Sequence, residues 1–392
     1  MAPRRICIAT GSRAEYGHLQ WLAHDIADDS ELELQFLVLG MHLAPRYGLT
    51  VREIEADGFS VAEKIETALA SDSPVAIAKS MALALSGAAE ALARLRPDIL
   101  VILGDRYEMM AVAQAALVQR IPIAHIHGGE TTEGAFDEAL RHSITKMAFL
   151  HFTAAEEYRR RVIQLGEQPE RVFNFGAPGL DTLQRQELLS RDALSAAIGF
   201  DLSGGPVFLV TYHPVTLADD PAAGIDALLA ALAGYPQARI LITGVNADTG
   251  NSRVAAAYEG FAHARPDSVR VVGSLGHHRY LSALSVADAV IGNSSSGLIE
   301  APAFAVPTID IGDRQKGRLR ADSVIHCPPQ EHAILAAIAQ ALSARFRARC
   351  QSQTPPYGKG GASGRIKNVL KSFDLAGHAL KSFHTVTPEA FR

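Results

Sequence analysis

The sequence predicts an α/β protein made of two Rossmann-like domains with a ligand-binding cleft between them. Two successive series of short apolar strands alternate with helices, one before residue 185 and one after it. Strands that are apolar throughout are typical of parallel sheets covered by helices on both faces. The glycine-rich residues 192–206 separate the two series and suggest a domain boundary. A length of 392 residues suits two or three domains.

The predicted elements are defined by apolar runs that end at glycine, proline or polar residues. Strands are predicted at 4–10, 33–40, 99–103, 121–126, 151–153 and 172–176, and then at 207–212, 239–243, 269–272, 289–292 and 308–311. The main helices are predicted at 18–27, 74–95, 107–119, from 137 onwards, at 155–165, 331–347 and 365–373. By this reading, no apolar run reaches the roughly 18 residues that would span a bilayer.

Composition narrows the classes of function. The net charge is −5 and the isoelectric point is about 6.3, which argues against non-specific binding to nucleic acid or to an anionic membrane. The three cysteines lie far apart in the chain and indicate neither a disulfide framework nor a thiolate metal site. The basic start has too short an apolar stretch for a signal peptide. We therefore expect a cytoplasmic protein.

Two carboxylates follow strands that we expect to be neighbours. Asp105 comes after strand 99–103, and Glu130 comes after strand 121–126. Ligands of open α/β sheets bind beyond the carboxyl ends of the strands, and two carboxyl groups there can divide the roles of acid and base. The alternatives are that Asp105 pairs with Arg106 or caps the next helix, and that Glu130 is a solvated loop residue.

The segment around Glu130 offers two further patterns. Asp137 and Arg141 are four residues apart at the start of a predicted helix, so they share one helix face as site residues or as an exposed ion pair. His125 and His127 alternate along a strand, and with Glu130 they have the composition of a zinc site. Core histidines are the commoner explanation, and we expect no metal.

An anion site is predicted in the second half of the chain. Residues 293–300 follow strand 289–292 and begin a helix, where backbone N–H groups and the hydroxyls of Ser294 and Ser295 favour a phosphate. Glu300 lies within reach of ribose hydroxyl groups in such a complex. A plain serine cap of the helix is the alternative.

Three basic features add to this anion site. Arg13, in the first predicted strand–helix loop, has the fork geometry that suits phosphate. His213 ends a predicted strand and is expected to act as a protonated phosphate partner or as an acid. Residues 313–320 form a basic run that includes Arg314 and is either a wall of the anion site or a solvated loop. The loop at 11–17 lacks the G-x-G-x-x-G spacing, so a nicotinamide or flavin cofactor is not expected.

Seven segments, in order along the chain, carry a family resemblance. They are Thr-Gly-Ser-Arg-Ala-Glu-Tyr-Gly (10–17), Gly-Asp-Arg-Tyr-Glu (104–108), His-Ile-His-Gly-Gly-Glu (125–130), Arg-His-Ser-Ile-Thr-Lys (141–146), Asn-Ala-Asp-Thr-Gly (246–250), Gly-Asn-Ser-Ser-Ser-Gly-Leu-Ile-Glu (292–300) and Gly-Asp-Arg-Gln-Lys-Gly-Arg (312–318). Together they resemble the hydrolysing UDP-N-acetylglucosamine 2-epimerases, especially the bacterial enzymes of sialic acid and legionaminic acid synthesis. The resemblance extends from residue 4 to about residue 372.

The resemblance implies a glycosyltransferase-B architecture. The expected domains are residues 1–185 and 186–363, with a crossover helix at 364–375 that returns to the first domain. The implied substrate is a UDP-sugar, the products are UDP and N-acetylmannosamine, and neither a metal nor a redox cofactor takes part. A base removes the C2 proton, UDP leaves, and water adds to the glycal with inversion at C2. We also expect a homo-oligomer, either a dimer or a tetramer.

The resemblance also implies roles for individual residues. The catalytic positions are Asp105, Glu130, Asp137 and His213, and the substrate-binding positions are Arg13, Arg141, Ser294, Ser295, Glu300 and Arg314. It does not decide which carboxylate abstracts the C2 proton. One departure is His18, at a position where relatives often have lysine.

Three alternative functions remain at this stage. The same reaction on UDP-2,4-diacetamido-2,4,6-trideoxyglucose would place the enzyme in legionaminic acid synthesis. A retaining glycosyltransferase shares the architecture but needs no base at C2, so the carboxylate-bearing residues 128–138 argue against it. A metal-dependent hydrolase would use the two histidines of the 125–130 segment.

Overall fold

A computed structural model of the chain describes residues 2–69, 71, 73–133, 136–215, 220, 222–244 and 251–386. The chain folds into two compact α/β units. The first comprises residues 1–130, 137–184 and 357–392, and the second comprises residues 131–136 and 185–356. The predicted motif at 246–250 lies outside the described residues.

Each unit is built on one parallel sheet. The strands are β1 Arg4–Thr10, β2 Leu32–Leu39, β3 Val61–Ile65, β4 Ile99–Leu103, β5 Ile123–Ile126, β6 Leu150–Thr153, β7 Val172–Asn174, β8 Val207–Thr211, β9 Arg239–Thr243, β10 Val269–Val272, β11 Ala289–Gly292, β12 Thr308–Ile311 and β13 Val324–Cys327. The first sheet has the order β3-β2-β1-β4-β5-β6-β7, and the second has the order β10-β9-β8-β11-β12-β13. The predicted pair of parallel-sheet α/β domains is confirmed.

Helices connect these strands. They are α1 Arg13–Ala27, α2 Val51–Ala56, α3 Pro74–Leu95, α4 Tyr107–Val118, α5 Asp137–Met147, α6 Glu156–Gln164, α7 Thr182–Arg185, α8 Arg191–Ile198, α9 Ile225–Ala233, α10 Asn251–His263, α11 Gly276–Val286, α12 Ser296–Ile299, α13 Glu331–Leu342, α14 Ala344–Ser352 and α15 Ala362–Ser372. The predicted single helix at 331–347 is wrong. Ser343 adopts an extended conformation and its hydroxyl accepts a hydrogen bond from the backbone N–H of Phe346, so it starts a second helix.

The supposed boundary at 192–206 also contains more structure than we predicted. Helix α8 occupies its first part, and Gly199 ends that helix with a positive φ of 61°. A left-handed glycine after the last turn is a common way to terminate a helix. The glycines of this segment therefore mark a helix end that lies inside the second unit.

Helices cover both faces of the first sheet. Side chains of α1 and α15 form one buried cluster with the sheet, and side chains of α3 and α4 form another on separate strand residues. Ala362, Ile366 and Leu370 of α15 are fully buried in the first of these clusters. The carboxylate of Asp181 accepts hydrogen bonds from the backbone N–H groups of Ala362 (2.9 Å) and Ser363 (2.7 Å). The last helix is thus an integral part of the first unit.

Helix α3 differs from the sequence-based expectation in one respect. Among the described residues, it is the one helix that is long and apolar enough to cross a membrane by length and composition, with a mean hydropathy of 1.4 over its best window. Its alanines 84, 88 and 91 are fully buried in the cluster shared with α4. A core helix passes the same compositional test, but only 33% of this window is buried, so the packing against α4 covers one side of α3.

The C-terminal segment after α15 packs on the first unit around a buried carboxylate. Glu167 is 2% exposed at its side chain and accepts hydrogen bonds from Lys146 (2.6 Å) and His151 (3.1 Å). Lys381 lies 2.6 Å from Oε2, the carboxylate oxygen that also contacts His151. The backbone N–H of His384 donates to the carbonyl oxygen of Gly166 at 2.8 Å. Residues 381–384 are therefore fixed by charge and by main-chain hydrogen bonding.

Replacing Glu167 with glutamine is expected to lower the free energy of unfolding by about 3 kcal/mol at neutral pH. Burial raises the pKa of Glu167, but His151, Lys146 and Lys381 more than offset this and lower it to about 2. The carboxylate therefore contributes stability above its unfolded pKa of about 4.3, and this contribution is lost as the pH falls towards 2. Urea denaturation at several pH values between 3 and 7 measures this loss of unfolding free energy. The unfolding free energy of Glu167→Gln should also fall less steeply with decreasing pH than that of the wild type.

Glu170→Gln is the matched control because Glu170 is exposed and lies three residues away. It should change the free energy of unfolding by less than about 0.5 kcal/mol. If the unfolding free energy of Glu167→Gln falls as steeply towards low pH as that of the wild type, the buried cluster around Glu167 does not stabilise the unit.

Candidate active site

Asp105 and Glu130 follow neighbouring strands, as the sequence predicts. Strands β4 and β5 pair in parallel with Leu103 opposite Ile126. The backbone N–H of Gly104 donates to the carbonyl oxygen of Ile126 at 2.9 Å, which extends the pairing by one residue. The two carboxylate-bearing loops consequently leave the same edge of the first sheet.

Arg141 connects these loops to α5. It is 1% exposed, and one guanidinium nitrogen donates to the carboxylate of Asp105. Its Nη1 donates to the carbonyl oxygen of Glu130 (3.0 Å) and to the carboxylate of Glu138 (3.2 Å). A buried, paired guanidinium fixes the carboxylates around it, because leaving its charge unpaired would be costly. Arg141 thus organises the predicted catalytic edge, and Asp137 lies one turn away at the start of the same helix.

The two alternative interpretations of Asp105 are not supported. Arg106 pairs with Glu108, at 3.2 Å between Nε and Oε2, whereas Asp105 pairs with Arg141. Helix α4 has Arg106 at its N-cap and no side-chain cap hydrogen bond. The side chain of Asp105 is therefore held by a helix that is distant in sequence, which a local pattern could not reveal.

His125, His127 and Glu130, the ligands of the alternative zinc site, make separate contacts. His125 is fully buried, and its two ring nitrogens lie 2.7 Å from the Gly104 carbonyl oxygen and 3.1 Å from the Thr145 hydroxyl. Burial lowers the pKa of His125 to about 3. The strand ends at Ile126, so the expected alternation does not extend to His127. Within the described residues, no group of three or more His, Cys, Asp or Glu side chains has an arrangement suited to a metal ion.

Arg13 is the first residue of α1 rather than a loop residue, which corrects the prediction. Ser12 caps the helix, and Glu15 returns its carboxylate to the backbone N–H groups of Gly11 (2.6 Å) and Ser12 (3.2 Å). Burial raises the pKa of Glu15 to about 8, although Arg106 acts in the opposite direction. This reciprocal cap fixes the backbone that carries Arg13.

His18, a residue of α1, packs inside the first unit. Its ring lies 5.9 Å from the ring of His127. A Cβ atom added to Gly179 would overlap the His18 ring, so the glycine provides the space for it. The histidine is accommodated by a specific neighbour and is not simply an exposed helix residue.

The second unit brings together the loops after β8, β11 and β12. The backbone N–H of His213 donates to the Asn293 side-chain oxygen at 2.7 Å, and the Asn293 amide nitrogen donates to the His213 carbonyl oxygen at 2.8 Å. The Asn293 carbonyl oxygen accepts from Arg314 (3.2 Å) and from Gln315 (2.8 Å). Asn293 and Gln315 are therefore further residues of this candidate site. Their motifs were recognised from the sequence, but no spacing pattern distinguished these two residues.

The expected protonation of His213 is not supported. Burial, together with the nearby Arg314, holds the pKa of His213 well below its usual range. A neutral imidazole is therefore the form present at neutral pH. Such a ring can accept or donate one hydrogen bond, but it does not supply the positive charge that we expected for a phosphate.

Ser294, Ser295 and Glu300 lie where the sequence places them, but the helix that they flank is short. Helix α12 has four residues, and its N-cap Ser295 makes no side-chain cap hydrogen bond. A helix of one turn has a small dipole, so the predicted contribution of a helix N-terminus to anion binding is weak. Any anion held here would depend on the hydroxyl groups and on Arg314. Glu300 is buried at the end of α12.

Residues 131–133 group with the second unit, although Glu130 and α5 belong to the first. The backbone N–H of Glu133 donates to the carbonyl oxygen of Lys316 at 3.1 Å, and the hydroxyl of Thr131 donates to the carbonyl oxygen of Gly317. Arg318 donates to the hydroxyl of Thr132 at 3.3 Å. Residues 316–318 of the basic run are therefore fixed by hydrogen bonds to residues 131–133, although the side chain of Lys316 remains exposed.

The two groups of side chains have different chemical capacities. In the first unit, carboxylates such as Asp105 and Glu138 surround the buried guanidinium of Arg141. Carboxylates in different environments suit the transfer of a proton to and from a carbon atom. The second unit offers hydroxyl, amide and guanidinium donors, which suit a phosphate or diphosphate.

A family model described as UDP-N-acetylglucosamine 2-epimerase matches residues 24–371. The chain is 41% identical to a GDP/UDP-N,N'-diacetylbacillosamine 2-epimerase (hydrolyzing) of Campylobacter jejuni, over 83% of this chain and 84% of that protein. It is 38% identical to polysialic acid biosynthesis protein P7 of Escherichia coli, over 94% of each chain.

A solved structure shows the same fold. The UDP-GlcNAc 2-epimerase of Neisseria meningitidis, crystallised with UDP-GlcNAc, superposes with a TM-score of 0.81 at 16% identity. The match covers 93% of this chain and 99% of that one. The architecture is therefore glycosyltransferase-B-like, as the sequence predicts.

Proposed function

Because the chain belongs to the UDP-N-acetylglucosamine 2-epimerase family, we propose that it is a hydrolysing 2-epimerase that acts on a UDP-linked 2-acetamido sugar. The reaction removes the C2 proton, expels UDP and hydrates the resulting glycal with inversion at C2. The observation that carries the proposal is the grouping of Asp105, Glu130 and Arg141 at one sheet edge. A glycosyltransferase has no need for such a proton-transfer group.

In this proposal the first unit acts on the sugar. Asp105, Glu130 and Asp137 provide the groups that move protons, and Arg141 and Arg13 contact the substrate. Arg141 also holds the carboxylate of Asp105 in place through their ion pair.

The second unit binds the nucleotide part of the same substrate. We assign the diphosphate to Ser294, Ser295 and Arg314, and the ribose hydroxyls to Glu300. Neutral His213, fixed by Asn293, is assigned to a hydrogen bond with the leaving diphosphate. Arg314 supplies the positive charge for the departing UDP, since a neutral imidazole cannot.

UDP-N-acetylglucosamine is the first substrate candidate, giving N-acetylmannosamine and UDP in nonulosonic acid synthesis. The 38% identity to a polysialic acid biosynthesis protein supports it. The second candidate is UDP-2,4-diacetamido-2,4,6-trideoxyglucose, the nucleotide of N,N'-diacetylbacillosamine. The 41% identity to a hydrolysing epimerase named for that sugar supports this second candidate, and the experiment below decides between the two.

Incubation with each sugar nucleotide in D2O, followed by NMR, tests the proposal. We expect release of UDP and of the C2-inverted sugar carrying deuterium at C2, with the same rate in EDTA. Turnover of the diacetamido substrate alone would assign the second candidate. Release of UDP with an unlabelled, uninverted sugar would contradict a 2-epimerase, and loss of activity in EDTA that zinc restores would contradict a metal-free reaction.

A cytoplasmic location and a homo-oligomeric assembly, dimer or tetramer, are also part of the proposal. Light scattering of the purified protein over a range of concentrations measures the assembly. A monomer at all concentrations would contradict it.

A further inference from the structure

His127 has an unusual backbone conformation at the edge of the first sheet. It follows the last residue of β5 and has a φ of 64°, which is uncommon for a residue with a side chain. Its backbone N–H donates to the carbonyl oxygen of Phe152 at 2.9 Å, so the neighbouring strand β6 holds it there. Strained conformations of this kind persist when the surrounding structure enforces them, and they occur often at functional sites.

The side chain of His127 is paired at one nitrogen only. Its Nδ1 lies 2.5 Å from Oε1 of Glu130, and the two residues are 6% and 1% exposed. Its Nε2 is buried and has no hydrogen-bond partner among the described residues. A buried polar atom without a partner costs about 1–3 kcal/mol, so its retention calls for an explanation.

Glu130 is well placed to orient this ring. Its main-chain carbonyl accepts from Arg141 at 3.0 Å, which fixes the backbone of the residue independently of its side chain. A carboxylate accepts hydrogen bonds, so it favours the tautomer with hydrogen on Nδ1. The lone pair is then on Nε2, the atom that has no protein partner. The same arrangement of a carboxylate, an oriented imidazole and a free Nε2 produces general bases in other enzymes.

We propose that His127 is a catalytic residue of the reaction proposed above, with Nε2 as the base that removes the C2 proton of the sugar. In place of the direct proton transfer assigned to it above, Glu130 then acts through His127, as a positioning residue that orients the ring and stabilises the imidazolium. The C2–H electron pair forms the C1=C2 bond of the glycal, and the C1–O bond breaks with its electrons leaving on UDP. Water then adds its oxygen to C1 and loses one proton, which restores the acid that delivers a proton to the opposite face of C2, and Nε2 returns its own proton to solvent.

The inference rests on the proposed function for its chemistry, but the tautomer of His127 on which it depends can be measured without any turnover of substrate. In the full-length protein labelled with 15N-histidine, His127 should be the neutral tautomer with hydrogen on Nδ1 at neutral pH. His127→Asn identifies its signals, because asparagine tolerates a positive φ better than most residues. Glu130→Gln should shift the tautomer balance towards Nε2–H. An Nε2–H tautomer or an imidazolium in the wild type would overturn the role as a base.

Kinetics tests the chemical step. His127→Asn should slow UDP release by ~10²-fold or more and leave the hydration of added glycal within about tenfold of the wild-type rate. Glu130→Gln should cause a smaller loss, and the double variant should be no slower than His127→Asn alone, because the two residues act as one unit. The affinity for UDP should stay within about threefold in all three variants, which controls for misfolding.

The failure of each proposal has its own signature. No UDP release by the wild type from either sugar nucleotide would overturn the proposed function and, with it, the role of His127. Release by the wild type and by a folded His127→Asn variant at similar rates would overturn the role of His127 alone. His263→Gln, at an exposed position at the end of α10, is the control and should behave as wild type.

Discussion

Replacing Asp105 with asparagine is expected to lower the turnover number by ~10²-fold or more, equivalent to about 2.7 kcal/mol in the barrier. Asparagine has nearly the shape of aspartate but cannot exchange a proton at neutral pH or balance the charge of Arg141. Steady-state kinetics with the sugar nucleotide that is turned over measures the change. Equilibrium unfolding of the same protein separates it from a loss of stability.

The matched control is Asp98→Asn at the opposite end of β4. Asp98 is partly exposed and accepts a hydrogen bond from the backbone N–H of Arg5 at 2.8 Å, so it too has a structural role. This control should lose some stability and keep a turnover number within about threefold of the wild type. If a folded Asp105→Asn variant keeps near-normal turnover, Asp105 takes no part in proton transfer and its role is confined to the ion pair with Arg141.

Replacing Gly292 with alanine should destabilise the second unit by about 3 kcal/mol or more. Gly292 ends β11 with a φ of 142°, a conformation that residues with a side chain rarely adopt. A Cβ atom there would overlap the backbone carbonyl of Thr211 on the neighbouring strand β8, and backbone atoms cannot move aside as a flexible side chain can. Because Asn293 and the two serines follow directly, UDP affinity should fall as well.

Gly260→Ala is the control for this substitution. Gly260 lies in α10, and a Cβ atom added to it meets nothing within 4 Å. Alanine favours a helix over glycine by about 1 kcal/mol, so the control should be neutral or slightly stabilising. Thermal unfolding followed by circular dichroism compares the two, with a loss of roughly 6–12 °C expected for Gly292→Ala. An unchanged melting temperature would mean that β8 and β11 can separate at little cost.

The central strands were predictable because they are buried on both faces. Every residue of β4 is buried, and its sequence is five apolar residues long. The edge strands β3 and β13 were missed because both are short and largely exposed or half-buried, and both include polar residues, such as Glu63 in β3 and His326 in β13. A short, half-exposed strand has no pattern that separates it from a loop.

Within the candidate site, the sequence indicates which residues belong to the two sheet edges but not how they pair. The partner of Asp105 is Arg141, 36 positions away, and it depends on the packing of α5. The conformation of His127 depends on a positive φ directly after β5, whereas the alternation of His125 and His127 suggested that both side chains lie on one face of a strand. Backbone conformation of this kind is set by tertiary contacts, here with Phe152 of the next strand.

The dependence of the first unit on α15 has a consequence for synthesis on the ribosome. Residues 1–184 emerge first, yet one face of their sheet needs Ile366 and Leu370, which are translated almost two hundred residues later. At a translation rate of about 5–20 residues per second, this apolar face stays uncovered for on the order of ten to forty seconds before α15 is synthesised. During that interval the nascent chain exposes a surface of the kind that chaperones recognise. A stop codon before α15 would make this exposure permanent.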